Sequence, residues 1–173
     1  KYNDGSHENR QILAVRLAEG MARAYQATEK HPISAADVDW QTLPVALPVS
    51  RHLNEQELMA RLKDSGDLRP ALRNEIAKDL VWLGRGEAGD KVDVTCLRLG
   101  PARILHMPGE LAVEYQLAAQ KMRPDLVVAM AAYGEDAPGY ICVKELCTQG
   151  GYEDSPGASI VAPEVEDVLM HAM

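Results

Sequence analysis

The sequence predicts an α/β fold: a mixed sheet with a parallel βαβ unit and flanking helices, forming part of a larger α/β domain. Three observations carry this reading. Val92, Val94 and Cys96 alternate with Asp93 and Thr95, the period of a half-buried strand. Gly100 and Pro101 then turn the chain into a second strand at 102–107. A helical segment follows, and after it a continuous apolar run at 126–132 that reads as a strand covered on both faces. Strand, helix and buried strand in this order make two parallel strands with a right-handed crossover.

The remaining elements fall around that unit. Asn3, Asp4, Gly5 and Ser6 make a polar, turn-rich opening. A helix is expected at 8–28, where Arg16, Glu19, Arg23 and Gln26 recur every three to four residues with Leu13, Leu17 and Met21 opposite. His31 and Pro32 end it, because the residue before a proline is pushed out of the helical region. The stretch 38–49 mixes β-branched and apolar residues with Pro44 and Pro48, so it reads as an extended or edge strand. Asn54 then caps a helix, with Glu57 as its capping-box partner and Leu53 and Leu58 as a hydrophobic staple. After a turn at 64–67, a second helix carries Leu72, Ile76, Leu80 and Leu83 on one stripe and ends at Gly84 or Gly86. This helical pair, 54–84, reads as a surface unit inserted into the domain. Pro108, Gly109 and Glu110 open the helix of the βαβ unit, with Leu111, Tyr115, Ala118 and Met122 on one face, and Pro124 stops it. A loop, a short strand near Tyr140 and a closing helix from Pro163 complete the chain.

Composition bounds the function. Hydrophobic residues make up 46% and charged residues 25%, the balance of a globular chain and not of a disordered tail. Its 173 residues are the size of one domain or of half a larger one. Phe is absent, so the core must rest on Leu, Val, Ile, Ala and Met with two Trp and six Tyr. Lys and Arg number 18 against 26 Asp and Glu, a net charge of −8, and the basic residues are scattered. That balance speaks against nucleic acid as a partner, since nothing offsets phosphate repulsion. The longest apolar run, 126–133, is too short to span a bilayer, so no transmembrane segment is expected. The chain opens on Lys1 without a basic-then-apolar leader, which we read as a processed or partial chain with more sequence upstream. Cys142 and Cys147 could pair, but Cys96 leaves an odd thiol, which favours plain packing roles for all three.

In open α/β sheets, ligands gather at the carboxyl ends of parallel strands. Glu110 lies just past the strand at 102–107, and the loop 134–139 leading into Tyr140 lies just past the next parallel strand. Both therefore reach one edge of the sheet. Each also has an ordinary role open to it: a Glu in the first turn of a helix complements the dipole, and a Tyr at a strand start packs.

The stretch 103–110 (RILHMPGE) resembles the strand and Pro-Gly-Glu segment of the neutral/alkaline non-lysosomal ceramidases. The stretch 140–153 (YICVKELCTQGGYE) is similar to their tyrosine segment, where a Tyr and a short Thr/Glu-rich turn lead to a second Tyr-Glu. Here Tyr152 stands twelve residues after Tyr140, and Glu145 and Gln149 fall where that pattern carries Glu and Gln. The likeness covers 92–159. It implies that residues 1–173 are the C-terminal portion of a single ceramidase-like α/β domain whose upstream portion is missing.

That family holds a zinc ion with two His, one Glu and one Tyr, and cleaves an N-acyl amide. The resemblance implies Glu110 and Tyr140 as metal ligands, with Tyr140 and Tyr152 in the catalytic set. Tyr152 would donate a hydrogen bond to the oxyanion of the tetrahedral intermediate. Zinc takes such donors and lowers the pKa of bound water to about 7. The His ligands are expected upstream of Lys1. His7, His31, His52 and His171 stand in no metal-ligand spacing and read as surface or capping residues. His106, four residues before Glu110, is a candidate to support that ligand. Residues 1–5 read as the end of an active-site loop that starts upstream. Where the family has Asn-x-Tyr this chain has Glu135, Asp136 and Ala137, so substrate contacts there differ. Two other readings stay open: a non-catalytic domain of the same fold that binds a ligand or partner, and a stand-alone α/β domain. The implied substrate is an N-acyl amide or lipid-like small molecule. The implied partner is the missing N-terminal portion of the same protein, and the implied location is secreted or periplasmic.

Overall fold

Ser6 starts the first helix: its hydroxyl accepts from the Asn9 amide at 3.1 Å, and α1 runs His7–Gln26. The computed structural model describes residues 4–64, 66 and 69–173, in two compact units, Lys1–Ile33 and Ser34–Met173. The proposed active-site loop at 1–5 lies, for Lys1, Tyr2 and Asn3, outside the described residues, as do Ser65 and Asp67 of the turn at 64–67. In the first unit, no residue of α1 is buried.

The second unit is built on a four-stranded mixed sheet in the order β1-β2-β3-β5. Its strands are β1 (Val38–Val45), β2 (Val92–Leu99), β3 (Ala102–His106) and β5 (Val127–Ala131), with the two-residue β4 (Glu110–Leu111) between the last two in sequence. β1 is an edge strand, antiparallel to β2, where Pro44 costs the ladder least. β2 turns at Gly100, φ 56, into antiparallel β3. β3 and β5 are parallel and joined through α4 (Val113–Met122), so the βαβ unit is present. The chain ends with β6 (Tyr140–Ile141), α5 (Lys144–Gln149) and α6 (Val165–Ala172). No described helix is long and apolar enough to cross a membrane.

α4 and α6 lie against one face of the sheet. Tyr115 and Leu169 from these helices are fully buried with Val94, Leu105 and Val128 from the strands. Burying a side chain of this size contributes about 1.5–3 kcal/mol, so this layer holds the unit together. Before it in sequence come α2 (Glu55–Lys63) and α3 (Pro70–Glu87), which pack on each other. Asn54 caps α2 by accepting from the Glu57 amide at 3.0 Å, and Leu53 and Leu58 are both buried, as the staple requires. Buried Trp82 of α3 donates its indole N–H to the Ile160 carbonyl at 2.9 Å, tying the helical pair to the segment before α6.

The structure corrects three expectations. The apolar run is not covered on both faces: Val128 is buried, but Val127 is 66% exposed. Register places Val127 on the face of Ala102, Ile104, Leu97 and Trp40, opposite the one that α4 and α6 cover. Second, α3 does not end at Gly84 or Gly86. It continues to Glu87, and Gly89 (φ +74) supplies the left-handed exit. Gly86 serves contact instead, since a Cβ there would meet Val49 Cγ2 at 2.2 Å. Third, Glu110 does not sit in the first turn of a helix. Its amide bonds the Gly139 carbonyl at 2.9 Å and the Ala112 amide bonds the Ile141 carbonyl at 3.0 Å, so both are spent on the ladder between β4 and β6 and α4 starts only at Val113. Sequence reading also left out α5.

Candidate functional site

β3 ends at His106, and Met107, Pro108 and Gly109, all buried, redirect the chain. Gly109 is required there. Its φ is +64, and a Cβ would lie 2.6 Å from the Gly139 carbonyl oxygen. The turn delivers Glu110 into β4, directly opposite Tyr140 of the parallel strand β6. Register partners on parallel strands point to one face, so the carboxylate and the phenol leave the sheet side by side.

The loop 132–139 is laced onto this turn by backbone hydrogen bonds. Tyr133 N–H donates to Gly109 O, Gly134 N–H to Met107 O and Gly109 N–H to Asp136 O, all at 2.8 Å. From the other side, the Tyr140 amide donates to Ala158 O at 2.9 Å, and the buried Ser159 hydroxyl donates to Tyr140 O at 2.8 Å. Tyr115 of α4 donates its hydroxyl to Cys142 O at 3.2 Å, and burial pushes that phenol above its ordinary pKa. Glu110 and Tyr140 thus stand on a backbone clamped from three directions, as a positioned site needs.

Two phenols, Tyr133 and Tyr140, meet the Glu110 carboxylate, and a third, Tyr152, stands against Tyr140. The Tyr133 hydroxyl donates to Glu110 Oε2. This hydrogen bond, with burial and the Glu110 charge adding to it, pushes the Tyr133 phenol up to about 12. The Glu110 charge, burial and a hydrogen bond with the same carboxylate raise Tyr140. The ring of Tyr152 meets that of Tyr140 edge-on, centroids 5.8 Å apart at 78°. Beside this cluster opens a cavity of about 350 Å³ lined by Glu110, Leu111, Tyr140, Ile141, Cys142, Leu146, Glu153 and Asp154 among others. A larger groove of about 680 Å³ beneath α4 shares no lining residue with it.

The three site residues read from the sequence therefore converge. The histidines do not join them. The His106 ring stacks on Trp40 at 5.0 Å, and its Nδ1 lies 3.3 Å from the Thr95 hydroxyl. His7, His31, His52 and His171 are exposed. All three cysteines are free thiols, so Cys142 and Cys147 do not pair. Glu145 and Gln149 are exposed on α5. Sequence reading missed Tyr133, which closes the apolar run, and the partner of Asp136: Arg85 Nη1 of α3 donates to Asp136 Oδ2 at 2.7 Å. The signal for Tyr133 was its position, two residues past the end of a parallel strand, where ligands gather.

As a metal centre, the chain offers hard oxygen donors, a carboxylate and a phenol within hydrogen-bonding reach of each other. Among the described residues, no group of three or more His, Cys, Asp or Glu is placed to hold a metal ion. Glu110 and Tyr140 offer donor types that zinc accepts, and among the described residues they are too few to complete a shell.

No family model matches the chain, and no curated protein matches it in sequence. Among solved structures it is similar to the crystal structure of neutral ceramidase from Pseudomonas aeruginosa, with a TM-score of 0.56 and 16% sequence identity over 99% of this chain. The chain spans 33% of that protein's chain. Its architecture is thus a ceramidase-like α/β fold.

Proposed function

We propose that this chain is part of a zinc-dependent hydrolase that cleaves an N-acyl amide bond, with Glu110 and Tyr140 among the metal ligands. The observation that carries the reading is the parallel pairing of Glu110 with Tyr140 at the carboxyl edge of the sheet, with the Tyr152 ring against Tyr140. When bound, zinc supplies a water whose pKa is lowered to about 7. The chain's own residues do the rest. Glu110 brings the negative charge that draws a cation to the site, and Tyr140 offers an oxygen beside it. Tyr152, 67% exposed, donates its phenol proton in a hydrogen bond to the oxyanion that develops on the scissile carbonyl. Leu111, Ile141 and Leu146 line the adjoining cavity with apolar surface, which suits a lipid-like substrate.

The missing N-terminal portion of the same protein is its partner in this reading. It supplies the histidine ligands, and the open sheet face with Trp40, 53% exposed, and Val127 offers it an apolar seat. In this reading the protein works outside the cytoplasm, secreted or periplasmic, a location that the ceramidase resemblance supports. A second reading, a non-catalytic binding domain of this fold, draws on Glu135, Asp136 and Ala137 standing where the family has Asn-x-Tyr, with Asp136 tied to Arg85. The absence of two ligand histidines from the upstream sequence would favour it.

The test is zinc content and N-acyl amide hydrolysis by the intact protein, before and after chelation. Glu110→Gln and Tyr140→Phe are each expected to lower zinc occupancy and turnover together. Unchanged occupancy and turnover in both variants would make the assignment wrong.

A further inference from the structure

Tyr133 is the one non-glycine residue with positive φ among the described residues, at 56°. For a tyrosine this conformation is strained, and asparagine or glycine would occupy it more readily. Burial does not compensate for the strain, because Tyr133 is 59% exposed. The backbone enforces it: the Tyr133 amide is held on Gly109 O and the next amide, Gly134, on Met107 O, each at 2.8 Å. Gly134 is tightly placed as well, since a Cβ would lie 3.1 Å from Met107 O and 3.2 Å from the backbone of His106. The result is a phenol delivered to Glu110 Oε2 from the strand neighbouring the one that leads to Glu110.

We propose that Tyr133 is a positioning residue for the Glu110 carboxylate, holding Oε2 so that the group meets a metal ion in one orientation. The strained backbone and the exposed ring then have one explanation: the hydroxyl must arrive at that oxygen. Partners that orient a ligating carboxylate commonly set metal affinity by 10–100-fold, roughly, without touching the ion. Tyr133 acts through Glu110 and takes no part in bond making or breaking. This inference rests on the reading of Glu110 as a metal ligand.

The experiment measures zinc affinity of the intact protein by chelator competition, together with the thermal midpoint of the zinc-free form, in four proteins. These are the wild type, Tyr133→Phe, Tyr133→Asn and Glu110→Gln. Tyr133→Phe keeps the ring and removes the hydroxyl, and is expected to weaken zinc binding about 10–100-fold. Tyr133→Asn relieves the backbone, so it weakens zinc equally while the zinc-free midpoint holds or rises by about 2–4 °C. A tyrosine that only packs would do the reverse, lowering the midpoint and leaving zinc affinity alone. Wild-type affinity in Tyr133→Phe, with zinc lost in Glu110→Gln, overturns the role of Tyr133 and leaves the metal site standing. Wild-type affinity in Glu110→Gln overturns the ligand assignment itself, and this inference with it.

Discussion

The Arg85 guanidinium holds the Asp136 carboxylate at 2.7 Å, and the carbonyl of that same Asp136 accepts the Gly109 amide at 2.8 Å. A charge on α3 thereby fixes the loop that carries Tyr133 against the turn that carries Glu110. Arg85 is also held in place itself, with Asp90 at 3.3 Å and its guanidinium over the Trp82 ring at 5.6 Å.

Arg85→Ala is therefore expected to loosen the site more than the fold. Arg85 is 37% exposed and Asp136 23%, so solvent screens the pair and its loss costs about 1 kcal/mol in urea unfolding. Hydrogen exchange of the Gly109 and Glu110 amides should accelerate beyond what that global loss accounts for. Equal protection of these amides in the variant and the wild type would rule out the clamp.

Gly139→Ala should cost much more. Gly139 has φ +85, and a Cβ would lie 2.1 Å from the Ala158 carbonyl oxygen, a backbone atom with no freedom to withdraw. Positive-φ strain and overpacking together predict a loss of about 2–5 kcal/mol. Denaturant unfolding measures it. A variant within 1 kcal/mol or so of the wild type would mean that the segment 157–159 moves aside readily.

Asp79 gives a pH-dependent expectation. Burial raises its pKa, with Glu75 adding to the effect and Lys78, His52 and Arg61 opposing it. A raised carboxyl pKa means that the folded state binds the proton more tightly than the unfolded state does. The charged form then penalises folding at neutral pH, and the penalty fades as pH falls through the raised value towards the usual ~3.9. Asp79→Asn should accordingly raise the thermal midpoint by about 1–3 °C at pH 7 and leave it unchanged near pH 3. A gain that persists undiminished in acid would point to a cause other than the charge.

Much of the fold was legible because its signals are local. Asn54, Leu53 and Leu58 announce α2 within a single short stretch, and the alternation around Val94 announces β2 without reference to any other part of the chain. Pro44 and Pro48 marked β1 as an edge strand, and it is one. Glu110 and Tyr140 could be singled out because the carboxyl ends of parallel strands are where side chains converge, and Tyr152 only through the ceramidase resemblance. The state of Glu110 was not legible. Pro108-Gly109-Glu110 is an acceptable helix start by its own chemistry, and what prevents it is the Gly139 carbonyl, far along the chain, which takes the Glu110 amide.

The same division separates Tyr133 from its neighbours. An apolar run ending in Tyr-Gly carries no mark of strain, because φ 56 is imposed by hydrogen bonds to Gly109 and Met107 that exist only once β3 and β5 lie side by side. The sequence alone determined most helices and strands, though not β4 or α5, that two strands run parallel, and that Glu110 and Tyr140 stand at their shared edge. Periodicity, caps and chain-breaking residues act over a few residues and need no partner. Tertiary structure alone decided which sheet face is covered, where α4 starts, and that the Glu110 carboxylate meets both Tyr133 and Tyr140. Those outcomes depend on backbone groups finding partners across the sheet, which no stretch of sequence specifies by itself.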